Sequence, residues 1–220
     1  MMNDINPVTV SIKELHRRAE MTSNARYHAA RRMSLHGWFS QWTLALLAVA
    51  QIVITLIIAF KLHSNFNENY LNFGAIFFGV LVLAYSLLLG MADFSSRAVK
   101  LHGCGLELGR LTRKLFLFSQ SGEATTDDYK RFYTEYYDIL DKYENHSRID
   151  YLKAHYKYYD AEASKLIFKS PEWFLKRLHL INVCIKIYCY HALQFSNYVL
   201  SISLVSAWIY FATRSTGVGG

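Results

Sequence analysis

The residues of this chain that could do chemistry are histidines and cysteines, and their spacing argues against a catalytic or metal site. His102 and Cys104 lie two positions apart in a segment with helical periodicity, so they point to different faces and could not share a metal ion without distant ligands. Cys184, Cys189 and His191 are spaced no better. Spacing alone assembles no Ser/His/Asp set and no carboxylate pair. We therefore predict a protein that is not an enzyme and that has no cofactor and no metal.

Glycines in the same segment, HGCGLELG at 102–109, suggest a phosphate-binding loop at first sight. The third glycine follows the second by four residues, and no strand precedes the segment, so it matches neither a P-loop nor a dinucleotide-binding motif. A helix whose small residues allow close packing explains the segment better. The three cysteines fit no disulfide framework.

Two long uncharged stretches indicate the class of the protein. Residues 33–60 and 69–92, which number 28 and 24, contain no Asp, Glu, Lys or Arg. Each includes an apolar run, 43–60 and 73–91, close to the ~20 residues that a helix needs to cross a bilayer. Buried helices of soluble proteins normally keep a polar stripe, which these runs lack. We predict a transmembrane helical hairpin.

A third uncharged stretch, 187–213, is ambiguous. It is 27 residues long, but polar residues such as His191 and Gln194 leave only the 14 residues of 198–211 densely apolar. That length is short for a membrane span. The stretch is either a third span, which would place the glycine-rich end outside, or a long helix packed on the hairpin or at a subunit interface. The pattern slightly favours the span.

The fold class that we predict is an all-α membrane protein, because strand signals are scarce and only Pro7 and Pro171 interrupt helical patterns. Five segments follow: a cytoplasmic N-terminal helix (1–36), the two-span hairpin (37–92), a cytoplasmic Tyr-rich helical region (93–186), the C-terminal hydrophobic helix (187–213) and a disordered tail (214–220).

Local signals predict several helix boundaries. Residues 1–10 read as a loose tail, and Ser11 with Glu14 as a capping box that starts the first helix. Gly37 is a candidate bend. Further signals are a cap at Thr125 or Thr126, a turn at 119–123, a break at 145–147, and a helix start at Ser170-Pro171.

The distribution of charge predicts the orientation. Residues 1–41 carry six Lys or Arg against three acids, residues 92–190 carry sixteen against thirteen, and the loop between the spans carries only Lys61 and Glu68. By the positive-inside rule both large polar blocks face the cytoplasm, and the loop lies outside.

Polar and small residues within the spans are the candidate functional positions. Gln51 and Thr55 share a face, and an amide near the middle of the membrane needs a hydrogen-bond partner or water. Gln51 therefore either bonds across the hairpin or lines a polar path together with Thr55; one hairpin cannot enclose a pore, so a path requires a homo-oligomer. In the second span a seam of small residues permits close helix packing: Ala75, Gly79, Ser86 and Gly90.

A basic region follows the second span, and its members are Arg97, Lys100, Arg110, Arg113 and Lys114. Attraction to anionic lipid is the simple explanation. An anionic regulator, either a nucleotide or a nucleic acid, is the alternative. The many tyrosines of 129–159 could stack on bases, although such a stripe is more often the core of a helical bundle.

The chain resembles one known family. An Arg/Ala-rich helix (RRAEMTSNARYHAARR) leads through a Trp-bearing junction into a tight hairpin, and the helix SRAVKLHGCGLELGRL follows immediately. This arrangement is similar to the SLATT superfamily of two-transmembrane effectors, and the Tyr-rich extension is similar to its branch encoded beside reverse transcriptases. The resemblance implies a membrane-disrupting or pore-forming effector that halts infected cells when a partner system senses phage. It implies no catalytic motif.

Two functions from different classes are therefore open. The first is an oligomeric inner-membrane effector of an anti-phage, abortive-infection system, triggered by a reverse transcriptase or by a nucleotide signal. The second is a membrane-anchored module in which the basic, Tyr-rich region binds a nucleic acid or a protein and no ions are conducted.

Overall fold

The computed structural model of the chain describes residues 7–61, 68–121, 124–163 and 171–214. Those residues form six helices and no strand, as the sequence predicts for an all-α membrane protein. The helices are α1 (Pro7–Ala59), α2 (Glu68–Ala92), α3 (Phe94–Ser121), α4 (Thr126–Asp141), α5 (Arg148–Ala163) and α6 (Pro171–Arg214). Three of the described helices are long and apolar enough to cross a membrane, and their most apolar windows fall in α1, α2 and α6.

The chain divides into two compact units, and α1 and α6 contribute to both. The helical unit comprises residues 1–34 and 95–190, and the apolar unit comprises residues 35–94 and 191–220. The core of the helical unit joins one face each of α1, α3 and α4. Its buried residues include Ile12, Leu15, Ala19, Cys104, Leu108, Leu111, Leu115, Phe132, Tyr136 and Ile139. A smaller cluster joins Ile149 of α5 to Val183 and Ile187 of α6.

Several predicted boundaries change in the structure. Helix α1 begins at Pro7, so Ser11 lies inside it and its Oγ donates to the Pro7 carbonyl oxygen at 3.1 Å instead of capping the helix. Proline suits a first helical position, because its missing N–H has no helical partner there. The predicted loose tail is therefore wrong for residues 7–10, and residues 1–6 lie outside the described part. The helix also continues without interruption through Gly37.

Other boundaries are confirmed. Thr125 caps α4 with a capping box: its Oγ1 accepts from the Asp128 N–H at 3.2 Å, and Asp128 Oδ2 accepts from the Thr125 N–H at 3.3 Å. The break at 145–147 separates α4 from α5. Helix α6 begins at Pro171. The predicted turn at 119–123 is wrong for residues 119–121, which form the end of α3. Residues 122–123, Ser170 and the tail beyond Arg214 lie outside the described residues. Asp93, with φ 42°, separates α2 from α3; aspartate tolerates this left-handed conformation better than most residues.

A buried ion pair joins α1 to the start of α5 in the helical unit. Arg32 and Asp150 are 7% and 1% exposed, and two hydrogen bonds connect them: Arg32 Nη2 to Oδ2 at 2.8 Å and Nε to Oδ1 at 3.1 Å. Ser147 Oγ also donates to Asp150 Oδ2 at 2.6 Å. Burial raises the pKa of Asp150, but the hydrogen bonds from Arg32 and Ser147 outweigh burial and hold that pKa below its usual value. The pair is therefore charged at neutral pH.

His146, in the same α4–α5 connection, makes stability depend on pH. Burial, together with the nearby Arg26, holds the pKa of His146 below its usual value. The unfolded chain therefore binds a proton more readily than the folded one, and stability is lost as the pH falls through the unfolded value of about 6.5. We expect the denaturant midpoint to fall between pH 7.5 and 5.5, and to fall less in His146→Asn. Equal pH profiles for the two proteins would contradict this assignment.

Candidate functional site

Two stripes whose residues follow one another at steps of three, four or seven face each other in the apolar unit. Such spacing keeps side chains on one side of a helix and is typical of helix–helix seams. The stripe of α1 comprises His36, Ser40, Thr43, Leu47 and Ile54, all buried. The stripe of α6 comprises Gln194, Tyr198, Ser201, Val205 and Trp208.

The seam is polar where both stripes begin. The Tyr198 hydroxyl lies 3.0 Å from His36 Nδ1 and 3.0 Å from Ser40 Oγ, and His36 Nε2 lies 3.0 Å from Gln194 Oε1. The His36 ring stacks on Phe195 with centroids 4.8 Å apart and planes at 8°. Each polar group thus has a partner, which is what burial in a low-dielectric environment requires.

Beyond Thr43 and Ser201 the seam is apolar, and its contacts show the direction of α6. Leu47, Ile54 and Phe78 form a buried cluster against which Val205 and Trp208 pack. The earlier part of α1 contacts Tyr198, and its later part packs with Val205 and Trp208, which come later in α6. This part of α6 therefore runs parallel to α1. The C-terminal helix is packed along the hairpin, and its apolar part lies beside the first span.

Gln51 lies against the second helix of the hairpin. A Cβ built on Gly79 would be 3.6 Å from Gln51 Nε2, so the amide packs over the glycine backbone of α2. Gln51 Oε1 is buried and has no hydrogen-bond partner among the described residues. The predicted neighbour Thr55 is exposed and donates to the Gln51 carbonyl oxygen of its own helix at 2.9 Å. The structure thus places Gln51 at the α1–α2 contact and leaves its buried amide oxygen without a partner among the described residues.

The predicted seam of small residues in α2 is only partly in contact with other helices. Ala75 packs on the Phe78 cluster, and Gly79 faces Gln51. Ser86 Oγ donates to the Leu83 carbonyl oxygen of its own helix, and a Cβ on Gly90 would meet nothing within 4 Å. The described structure shows no contact with another helix at Gly90, and that Ser86 and Gly90 form a packing seam with another subunit stays a prediction.

A close approach of helices in the apolar unit occurs at a glycine that the sequence pattern missed. A Cβ on Gly74 would lie 2.3 Å from Cζ2 of Trp208, so the indole ring lies directly on the backbone of α2. The ring also meets Phe78 edge to face, with centroids 5.4 Å apart. Trp208 Nε1 is buried without a hydrogen-bond partner in the described structure. The only sign of this contact in the sequence was that a glycine directly precedes Ala75, the first residue of the predicted small-residue seam.

The basic region divides into paired and unpaired members. Arg97 Nε donates to Glu144 Oε2 at 3.0 Å, and Lys114 Nζ donates to Glu135 Oε1 at 2.6 Å. Lys100, Arg110 and Arg113 are exposed and form no ion pair with any residue that the structure describes. These three are the side chains left available for an anionic lipid or ligand.

Tyrosines of α4 serve two purposes. Tyr136 is buried in the core, where its hydroxyl lies 3.0 Å from Thr22 Oγ1. Tyr133 and Tyr137 are 42% and 40% exposed, and their rings lie 4.6 Å apart. With Arg18 they line an open groove of about 350 Å³ between α1 and α4. Part of the stripe is therefore core, as the sequence suggests, and part is surface.

The described residues contain no cluster of three or more His, Cys, Asp or Glu that could hold a metal ion. Cys104 is fully buried, and burial raises the pKa of its thiol, which makes it a poor nucleophile. His102 lies against Tyr27, with ring centroids 5.4 Å apart. Cys104 therefore belongs to the packed face of α3, whereas His102 is exposed.

Comparison with known families identifies the group to which this arrangement belongs. Residues 9–211 match the model of the SMODS and SLOG-associating 2TM effector domain family 5, abbreviated SLATT_5. The chain belongs to this family. No curated protein and no solved structure in the comparisons matches it. The match extends to residue 211, so almost all of α6 is part of the SLATT domain of this chain.

Membership of the SLATT family, together with the apolar helices, makes this protein a membrane-associated effector of the kind found in defence and signalling systems. The family is not known for an enzymatic activity. In this SLATT protein the two-span hairpin has a third apolar helix packed along it, and the polar seam of His36, Ser40, Gln194 and Tyr198 joins that helix to the first span.

Proposed function

We propose that this SLATT protein is an oligomeric pore-forming or membrane-disrupting effector of a bacterial anti-phage system. It resides in the inner membrane, with its N-terminus and residues 93–186 in the cytoplasm. A partner, either a reverse transcriptase or a nucleotide-signal system, triggers it. Activated copies let ions leak across the membrane, and the infected cell stops growing before phage can multiply.

The observation that carries this proposal is a pair of unsatisfied polar atoms within an apolar bundle. Gln51 Oε1 and Trp208 Nε1 are buried without hydrogen-bond partners in the described chain. An unpaired polar group in hydrocarbon costs several kcal/mol by the usual estimate of ~2–7. Rearrangement or assembly that offers these atoms water or a partner is therefore favoured, which is how a polar path could open.

The small size of the bundle supports an oligomer. Only 17%, 6% and 6% of the most apolar windows of the three candidate spans are buried within the chain. Lipid or other copies must cover the rest. Three helices enclose no lumen, so conduction requires several copies whose inner faces include Gln51.

Replacing Gln51 tests the proposal. We expect Gln51→Leu to reduce ion leak about tenfold in cells that also contain the activating partner, because losing one hydrogen-bonding group raises the barrier for an ion by ~1.4 kcal/mol. Ser203→Ala is the matched control, since that exposed hydroxyl bonds only to the Val199 carbonyl of its own helix. The measurement is membrane potential, followed with a dye at equal protein levels.

Two outcomes would count against the proposal at different levels. Equal leak in Gln51→Leu and Ser203→Ala would exclude Gln51 from the path but leave the pore intact. An unchanged membrane potential and normal growth in activated cells with the unaltered protein would overturn the proposed function itself.

The membrane-anchored binding module remains the second candidate, and the groove beside Tyr133 and Tyr137 favours it. Exposed tyrosine rings near Arg18 could stack on bases while the arginine contacts phosphate. Binding of single-stranded nucleic acid that weakens steeply with salt, by a protein that never permeabilises vesicles, would support this function over the first.

A further inference from the structure

The first half of α6 carries an apolar stripe that nothing in the described chain covers. Its members follow one another at steps of four, three, four and three residues: Phe174, Leu178, Ile181, Ile185 and Tyr188. Their exposed fractions are 58%, 49%, 55%, 56% and 71%. Alternating steps of this kind are the heptad pattern of a helix that packs against one other helix.

The stripe is separate from the face by which α6 joins the helical unit. Leu180, Val183 and Ile187 are buried on that face, and the last two pack with Ile149 of α5. Residues 174–188 therefore have a filled inner side and a vacant outer side. The exposed stripe is thus a separate surface of α6 and not a poorly packed part of the core.

Lipid does not explain the stripe. Charged residues interrupt this half of α6, namely Glu172, Lys176, Arg177 and Lys186, whereas the 27 residues after Lys186 contain none. Helix α6 is uninterrupted from Pro171 to Arg214. Charged side chains are costly in hydrocarbon, so we place this half of α6 outside it, where its apolar stripe is exposed to water.

We propose that the occupant of this stripe is the same stripe of a second copy of the chain, paired as a parallel coiled coil. The inference deepens the proposed function and rests on it, since it names the contact through which an oligomeric effector assembles. All copies enter the membrane in one orientation, so their α6 helices run parallel and each residue of the stripe meets its own counterpart. Apolar residues at all five positions satisfy that self-matching.

The size and charge of the surface fit a second copy. The five side chains expose on the order of 500 Å² per subunit, so that a pair buries about 1,000 Å², the lower limit for a specific interface. Positions flanking the stripe include the uncharged Asn182, Cys184 and Cys189. The charged flanking residue, Arg177, is held at 3.1 Å by Asp160 of its own chain. No unpaired charge therefore faces its own copy across the contact.

Disulfide crosslinking in membranes tests the pairing. The chain is made with Cys184→Ser and Cys189→Ser, and Ile181→Cys is added, which places a thiol at a position that meets its counterpart within the distance a disulfide spans. We expect mild oxidation to give about tenfold more disulfide-linked dimer for I181C than for His179→Cys in the same background, because pairing raises the local thiol concentration. His179 is exposed on the same helix but lies off the stripe.

A second variant distinguishes a specific dimer from disulfides formed when copies collide at random. Ile185→Lys, combined with I181C, is expected to abolish the crosslink and to reduce the size of the detergent-solubilised particle, because a cation would face a cation across the contact. Equal crosslinking of I181C and H179C overturns the proposed pairing. A second result would also overturn it. If a lipid-soluble maleimide labels the thiol introduced by I181C strongly and a water-soluble maleimide labels it weakly, the stripe faces lipid.

The outcomes separate this proposal from the function. Crosslinking is measured in resting membranes without the activating partner. A specific I181C dimer in a protein that never alters membrane potential would support the pairing and contradict the pore. Ion leak with no specific dimer would support the pore and contradict the pairing.

Discussion

Asp150→Ala is expected to lower the free energy of unfolding by ~3–5 kcal/mol, the usual cost of removing one partner from a buried ion pair. Arg32 is only 7% exposed in the intact protein, and the substitution removes its two hydrogen bonds to the carboxylate. It also removes the acceptor of the Ser147 hydroxyl. The free energy lost is therefore larger than the net stabilisation by the intact pair, because it includes the cost of leaving the Arg32 cation buried without its partner.

Chemical denaturation of the purified protein in detergent, followed by tryptophan fluorescence, measures this loss. Glu135→Ala is the matched control, because it also removes an acid from an ion pair, that with Lys114, but on the surface. We expect the control to cost less than ~1 kcal/mol. If the two variants unfold at the same denaturant concentration, the Arg32–Asp150 pair does not stabilise the join between α1 and α5.

Gly74→Ala is expected to destabilise the apolar unit by ~1–3 kcal/mol, the range for overpacking a filled contact. The added methyl would lie 2.3 Å from Cζ2 and 2.5 Å from Cε2 of Trp208, well inside van der Waals contact. The indole cannot turn away freely, because Phe78 packs edge to face on it. Helices α2 and α6 must therefore separate, or the ring must leave its position.

Gly90→Ala is the control for this prediction, since a methyl there meets nothing within 4 Å. Thermal unfolding in detergent should place G74A below the unaltered protein and G90A close to it. Adding Trp208→Leu should remove most of the difference that G74A makes, because the clashing ring is gone, and this coupling is the diagnostic result. Additive effects of the two substitutions would show that Gly74 and Trp208 do not contact each other.

Sequence patterns predicted much of the fold because their physical causes are local. An uncharged apolar run long enough to span a bilayer is rarely stable as an exposed segment in water, so it predicts a membrane helix. This accounts for the second half of α1 and for α2. The capping box at Thr125 and the break at 145–147 depend on neighbouring residues alone. The start of α1 was missed because Ser11 and Glu14 resemble a cap, whereas Pro7 begins the helix one turn earlier.

Candidate site residues were harder to predict because their roles depend on distant partners. The amino-acid sequence by itself determined that this is an all-helical membrane protein, since the length and continuity of its apolar runs leave no other place for them. Only the tertiary structure decided that His36 meets Tyr198, 162 residues away, that Arg32 meets Asp150 and that Trp208 lies on Gly74. Heptad spacing marks which side of a helix is apolar, but the helix that covers it is chosen by packing along the whole chain.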